Sequence, residues 1–127
     1  MYIKTVLLCS VIAFPTVSLA ERGSFEFSTN GKQYVFDPSS IKSIEYTQQK
    51  SPAEDSLGFQ FSDTGAEKLK RLTHENMGKK LTISYKGNPI STAYILQNLK
   101  YGMRISTKDT PQIVLVQILN DYGVANE

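Results

Sequence analysis

The 127-residue chain is poor in the side chains that carry most enzyme chemistry: it has one cysteine, Cys9, and one histidine, His74. Cys9 lies within the first twenty residues, so a chain cleaved behind them has no thiol. That excludes a disulfide framework, a thiol nucleophile and a soft metal ligand. A metal site would then rest on carboxylates, and these are scattered without the D-x-D-x-D-G spacing of a calcium loop. An excess of one charge is also missing, since 14 Lys and Arg stand against 12 Asp and Glu. A chain this close to neutral holds polyanions poorly, which argues against nucleic acid as a partner. Long apolar runs are lacking too. The one run of note, Val6 to Phe14, is about half of the roughly 20 residues needed to cross a bilayer.

That run has its own meaning. Lys4 precedes it, Pro15 follows, and Ser18-Leu19-Ala20 places small residues at −3 and −1 of a cleavage point. This is the pattern of a secretory signal peptide cut after Ala20, with export to the periplasm. An uncleaved anchor is the competing reading and needs a longer run. A lipoprotein reading would use Cys9, but the bulky Leu8 stands where that processing wants a small residue. Cleavage removes only Lys4 among charged residues, so residues 21–127 carry 13 basic against 12 acidic side chains, a net charge of about +1. These residues suffice for one domain with its own core. They contain no second run able to span a membrane, no internal repeat and no low-complexity segment.

Patterning orders the elements. "SFEF" and "KQYVF" alternate around Asn30-Gly31, a hairpin turn signal. Asp37-Pro38-Ser39-Ser40 is turn material able to start one helical turn. Ile41, Ile44 and Tyr46 form a mixed pattern, read as a strand from about Ser43, and "KSPAEDS" is a loop around Pro52. Leu57, Phe59 and Phe61 alternate as a strand. Thr64-x-x-Glu67 then reads as a capping box. Behind it Ala66, Leu69, Leu72, Thr73 and Met77 recur at helical spacing, with Gly78 placed to close the helix. "KLTISY" is a strand ending in the turn Lys86-Gly87-Asn88-Pro89, and "ISTAYIL" and "GMRIS" are further strands. "QIVLVQIL" would pass as a buried strand. Thr110-Pro111 as cap and first helical residue favours a buried helix ending near Gly123. The order ββ–β–β–α–β–β–β–α points to an α+β sandwich: a mainly antiparallel sheet with two helices packed on one face.

Candidate chemistry is thin. A hydrolase would pair His74 with a serine and an acid such as Asp63 or Glu75. No serine stands in a nucleophile-elbow context, and adjacent Glu75 projects from a different helix face. A histidine near a helix end more simply favours the helix dipole. Lys68, Lys70, Arg71, Lys79, Lys80 and Lys86 form a basic cluster that could meet anionic lipid or an acidic partner. Glu67 and Glu75 dilute it, and its helical members fan around the helix. "NMGKK" is no phosphate loop, so no cofactor is expected. Tyr94 and Tyr101, flanking the segment before Gly102, could line an apolar groove, with Lys79 and Lys80 as neighbouring contacts.

The order of short motifs carries a resemblance. Gly65-Ala66, Leu72-Thr73, Asn76, Gly78-Lys79, Leu81, Gly87, Ile90-Ser91 and Ile105 occur in sequence over Ile41–Leu119. In this the chain resembles the large periplasmic domain of SecD, the accessory subunit of the bacterial protein-export translocon. The resemblance implies a SecD-like α+β fold and contact with protein or peptide in export, but it carries over no compact set of contact residues. An exposed sheet edge or an apolar groove near Tyr94–Tyr101 would be the contact surface. It departs from the family at Lys86, where an acidic residue is usual, at Ser106, which replaces a glycine, and at Pro111 with the β-branched residues after it. The six membrane spans that carry SecD's proton-coupled work have no counterpart here, so proton-driven transport is not implied. The expectation is a non-enzymatic periplasmic binding domain. The alternatives are a small secreted hydrolase using His74 and an envelope-surface protein meeting anionic lipid.

Overall fold

Two tight turns set the frame of the larger sheet. Asn30 and Gly31 (φ 51° and 77°), and Lys86 and Gly87 (φ 49° and 86°), all take the left-handed conformation that two-residue hairpin turns require. The computed structural model describes residues 22–51 and 54–124. The expected signal peptide, residues 1–20, and Pro52 lie outside the described residues.

The first turn joins β1 (Phe25–Thr29) to β2 (Lys32–Phe36). A 3-10 turn, Pro38–Ser40, follows, with the Asp37 carboxylate accepting from the Ser40 N–H at 3.1 Å. Then come β3 (Ile41–Thr47), β4 (Ser56–Phe61), α1 (Asp63–Glu75), β5 (Lys80–Tyr85), β6 (Asn88–Tyr94), β7 (Gly102–Ser106) and α2 (Gln112–Asp121). The element order and the α+β class are those expected from the sequence. The strands divide into two antiparallel sheets, ordered β2-β1-β5-β6 and β3-β4-β7, a division that periodicity does not reveal.

Alternation on each strand supplies one apolar face, and the two faces share a core. Phe25 of β1 meets Phe59 of β4 edge-on with ring centroids 5.1 Å apart, and Phe36 of β2 meets Phe61 of β4 at 5.3 Å. Such pairs add about 0.5–1.5 kcal/mol beyond area burial. The irregular spacing of Ile41 and Ile44 has a cause: the β3–β4 register shifts between Ile41 and Ser43. That bulge turns both isoleucines inward although three positions separate them. Both helices bury apolar residues in the same core, Leu69 and Leu72 from α1 and Leu115 and Ile118 from α2.

Three details of the helices differ from the sequence reading. The α1 cap is Ser62, whose Oγ accepts from the Gly65 N–H, and not Thr64. Gly65 occupies the position a capping-box Glu would need, so the reciprocal half of the box cannot form. Met77 lies beyond the helix, exposed, although Gly78 does take a left-handed φ of 81°. At α2 the cap position is Pro111, and the Thr110 hydroxyl instead donates to the Ile90 carbonyl at 2.7 Å. The helix itself forms as expected, with Gly123 (φ 64°) just past its end.

Where α2 ends, Tyr85 donates to the Asp121 carboxylate at 2.6 Å, Lys86 pairs with the same oxygen at 3.0 Å, and Tyr122 donates to the Gly23 carbonyl at 2.6 Å. Burial drives the Tyr85 phenol well above its usual range, with Asp121 adding to the shift. Burial likewise pushes Tyr122 up to about 12, against the pull of the nearby Arg22 charge.

Candidate functional site

The two sheets leave a groove between β6, an edge of the four-stranded sheet, and β7, an edge of the three-stranded one. It encloses about 450 Å³. Its floor comes from Leu69 and Thr73 of α1 and from Leu81 and Ile83 of β5, and its walls from Ser91–Tyr94 and Met103–Ser106. The apolar floor is a direct product of sequence: Leu69 belongs to the helical stripe, and Leu81 and Ile83 to the period-two face of β5.

The connection from β6 to β7 is held at both ends over this groove. At its start the Ile95 N–H donates to the Lys79 carbonyl at 2.9 Å, and the Ile95 carbonyl accepts from Gly78 at 2.6 Å. Near its end the buried Thr73 hydroxyl accepts from the Leu99 N–H at 3.1 Å while donating to the Leu69 carbonyl at 3.0 Å. Thus the Leu72-Thr73 and Gly78-Lys79 motifs anchor one connection. Between the anchors Leu96 stands 80% exposed on the groove wall. A Leu side chain that far into solvent, on a connection fixed on both sides, is an apolar contact available to a partner.

The structure separates the residues that the sequence grouped. Tyr94, 64% exposed, lines the groove and lies opposite Lys80 in the β5–β6 register. Lys79 and Lys80 are exposed on the approach to β5. Tyr101 faces elsewhere: it lines a second hollow, about 640 Å³, on the outer side of the three-stranded sheet, with Lys100 Nζ 4.9 Å from its ring centroid. That hollow is larger but polar. Its central Gly58 leaves room for the Arg104 guanidinium, which reaches Glu45 at 3.6 Å and the Ser56 hydroxyl at 2.9 Å. Its cation is already answered by an anion, and its floor offers little apolar surface. The groove is therefore the better candidate site. Sequence reasoning missed its second wall, because only tertiary packing brings Met103 and Ile105 beside Tyr94.

The basic residues do not assemble. Lys68 donates to the Val35 carbonyl and lies over the Phe36 ring at 5.3 Å, while Lys86 is paired with Asp121 at 3.0 Å. His74 is exposed on the last turn of α1. Among the described residues no group of three or more His, Cys, Asp or Glu side chains is placed to hold a metal ion. Among them, too, no helix is long and apolar enough to cross a membrane.

The family model of the SecDF P1 head subdomain matches residues 16–114. The chain belongs to the SecDF P1 head family. The protein translocase subunit SecD of Sebaldella termitidis is 31% identical over 93 residues, which cover 71% of this chain and 23% of that protein. The chain thus spans about a quarter of the length of this curated relative. The match covers both groove walls and the anchored connection, so the groove is part of the P1 head. The Gly65-Ala66 and Leu72-Thr73 motifs acquire physical roles within the P1 head: Gly65 lets α1 approach the 3-10 turn, and Thr73 pins the connection above the groove.

Proposed function

We propose that this chain is a non-enzymatic accessory domain of the envelope that binds polypeptide during protein export, on the periplasmic side, through the groove between β6 and β7. The observation that carries this reading is the groove itself: an apolar floor opened between two sheet edges, with Tyr94 and Leu96 exposed on its wall. Grooves of this kind bind chains by combining main-chain pairing with apolar pockets. P1 head membership and the likeness to a translocase subunit support the setting. Lys79 and Lys80 lie within reach of the same rim and would bias it toward acidic or neutral segments. Tyr101, on the outer hollow, is assigned no part in this contact.

Photocrosslinking in intact cells tests the proposal. A photoreactive residue at Leu96 should trap an exported polypeptide or a component of the export machinery, identified by mass spectrometry. The same residue placed at Gln60 on the outer sheet face should trap at least tenfold less. Equal trapping at the two positions, or none at Leu96, would sink the reading.

A further inference from the structure

We infer that the groove takes its polypeptide as an added β-strand, paired through its main chain to the free edge of β6 at Thr92 and Tyr94. The inference rests on the polypeptide-binding reading above and specifies the conformation bound.

The direction of the main-chain groups follows from the hydrogen bonds. In an antiparallel strand, residues alternate between pointing their N–H and C=O at one neighbour and at the other. Ile95 turns both groups toward Gly78 and Lys79, which continue the line of β5. In the regular register that joins Leu81 to Ala93 and Ile83 to Ser91, Ala93 and Ser91 face β5 likewise. Thr92 and Tyr94 therefore point their N–H and C=O away from β5, to the groove side. The Ile90 carbonyl, where the β5–β6 register shifts, accepts from the Thr110 hydroxyl. On the opposite wall the Tyr101 carbonyl and the Thr107 N–H are bonded to Phe61 and Asp55, at the two ends of β4. By the same alternation Arg104 turns its main chain outward from β7.

Exposed edges are a hazard that folds suppress with lysines, bulges and covering side chains. Such devices protect the other two edges. Lys68 covers the Val35 carbonyl on β2, and β3 is bulged at Ile41/Ser43 and carries the exposed Lys42. On β6 the protection stops early: Pro89 and the Thr110 hydroxyl guard its first residues, and the stretch Ser91–Tyr94 has no equivalent among the described residues. A helical ligand would satisfy its own main chain and leave these groups unpaired, whereas an extended one would satisfy both. Its alternate side chains would enter the apolar floor at Leu81 and Ile83. The occupant is thus an extended segment with apolar residues at every second position, the state of a chain not yet folded.

The test uses a capped heptapeptide alternating valine and glutamate, titrated into the isotope-labelled purified protein. Cross-strand NOEs between the peptide and the Thr92 and Tyr94 main chain are expected. Thr92→Pro removes an N–H that no ladder bond uses, at an edge position where proline is tolerated. It should weaken binding at least tenfold, while Thr92→Ala stays within twofold. N-methylation of the peptide in one alternating frame should abolish binding, and in the other leave it, independently of how the proline variant folds. Peptide binding that ignores both Thr92→Pro and the methylation frame would overturn strand addition and leave polypeptide binding intact. Failure of the peptide to bind while Leu96 still crosslinks to an exported chain would do the same. Loss of both would remove the polypeptide-binding reading as well.

Discussion

Gly65 shows how much one missing side chain can decide. A Cβ built on it would lie 2.0 Å from the Ser40 carbonyl oxygen, which also accepts from the Ser62 N–H at 3.0 Å. The oxygen is backbone and already engaged, so it cannot swing aside as a flexible side chain could. Gly65→Ala should therefore destabilise the protein by about 3 kcal/mol, at the upper end of overpacking costs, although alanine is the better helix former. Chemical denaturation checks this, and a neutral or stabilising effect would mean that α1 and the 3-10 turn are not in contact. At this scale the sequence was partly legible. Glycine beside alanine at a helix start could be noticed, but the opposing oxygen belongs to a residue 25 positions earlier.

Elements were the most legible level, because period-two and helical patterns are local. Their boundaries were less so, and α1 shows why. Serine, aspartate and threonine at positions 62–64 can all cap a helix, and Glu67 drew the sequence reading to Thr64. The chain caps with Ser62, whose hydroxyl also donates to the Ser39 carbonyl at 2.7 Å, a long-range bond no local rule contains. Ser62→Ala should thus cost about 1 kcal/mol, whereas Thr64→Ala should change stability by only a few tenths. Thermal unfolding of the two variants distinguishes them, and the reverse ranking would restore the capping box. The final helix was ambiguous for a related reason: its β-branched residues suit a strand, and burial against β6 and the core overrides that propensity.

At the scale of the whole molecule, the proposed binding surface is a product of topology. The seven strands of the described residues were readable one by one, but their division into two sheets was not, and the groove exists only because of that division. Tyr94, expected from the sequence as a partner contact, lines the β6–β7 groove. Tyr101, seven residues on, ends on the opposite side of β7, since the anchored connection crosses between the sheets. Arg104 escaped notice because its space depends on Gly58 across the strand. The account's central claim is that polypeptide is held in the β6–β7 groove. Its most direct test is an amide chemical-shift map of the purified protein titrated with a secretory polypeptide kept unfolded by reduction and carboxymethylation. The account expects shifts confined to Ser91–Leu96, Met103–Ser106 and the floor residues Leu81 and Ile83. Shifts centred on α2 or on the outer face around Gln60 and Tyr101, or none at saturating polypeptide, would contradict it.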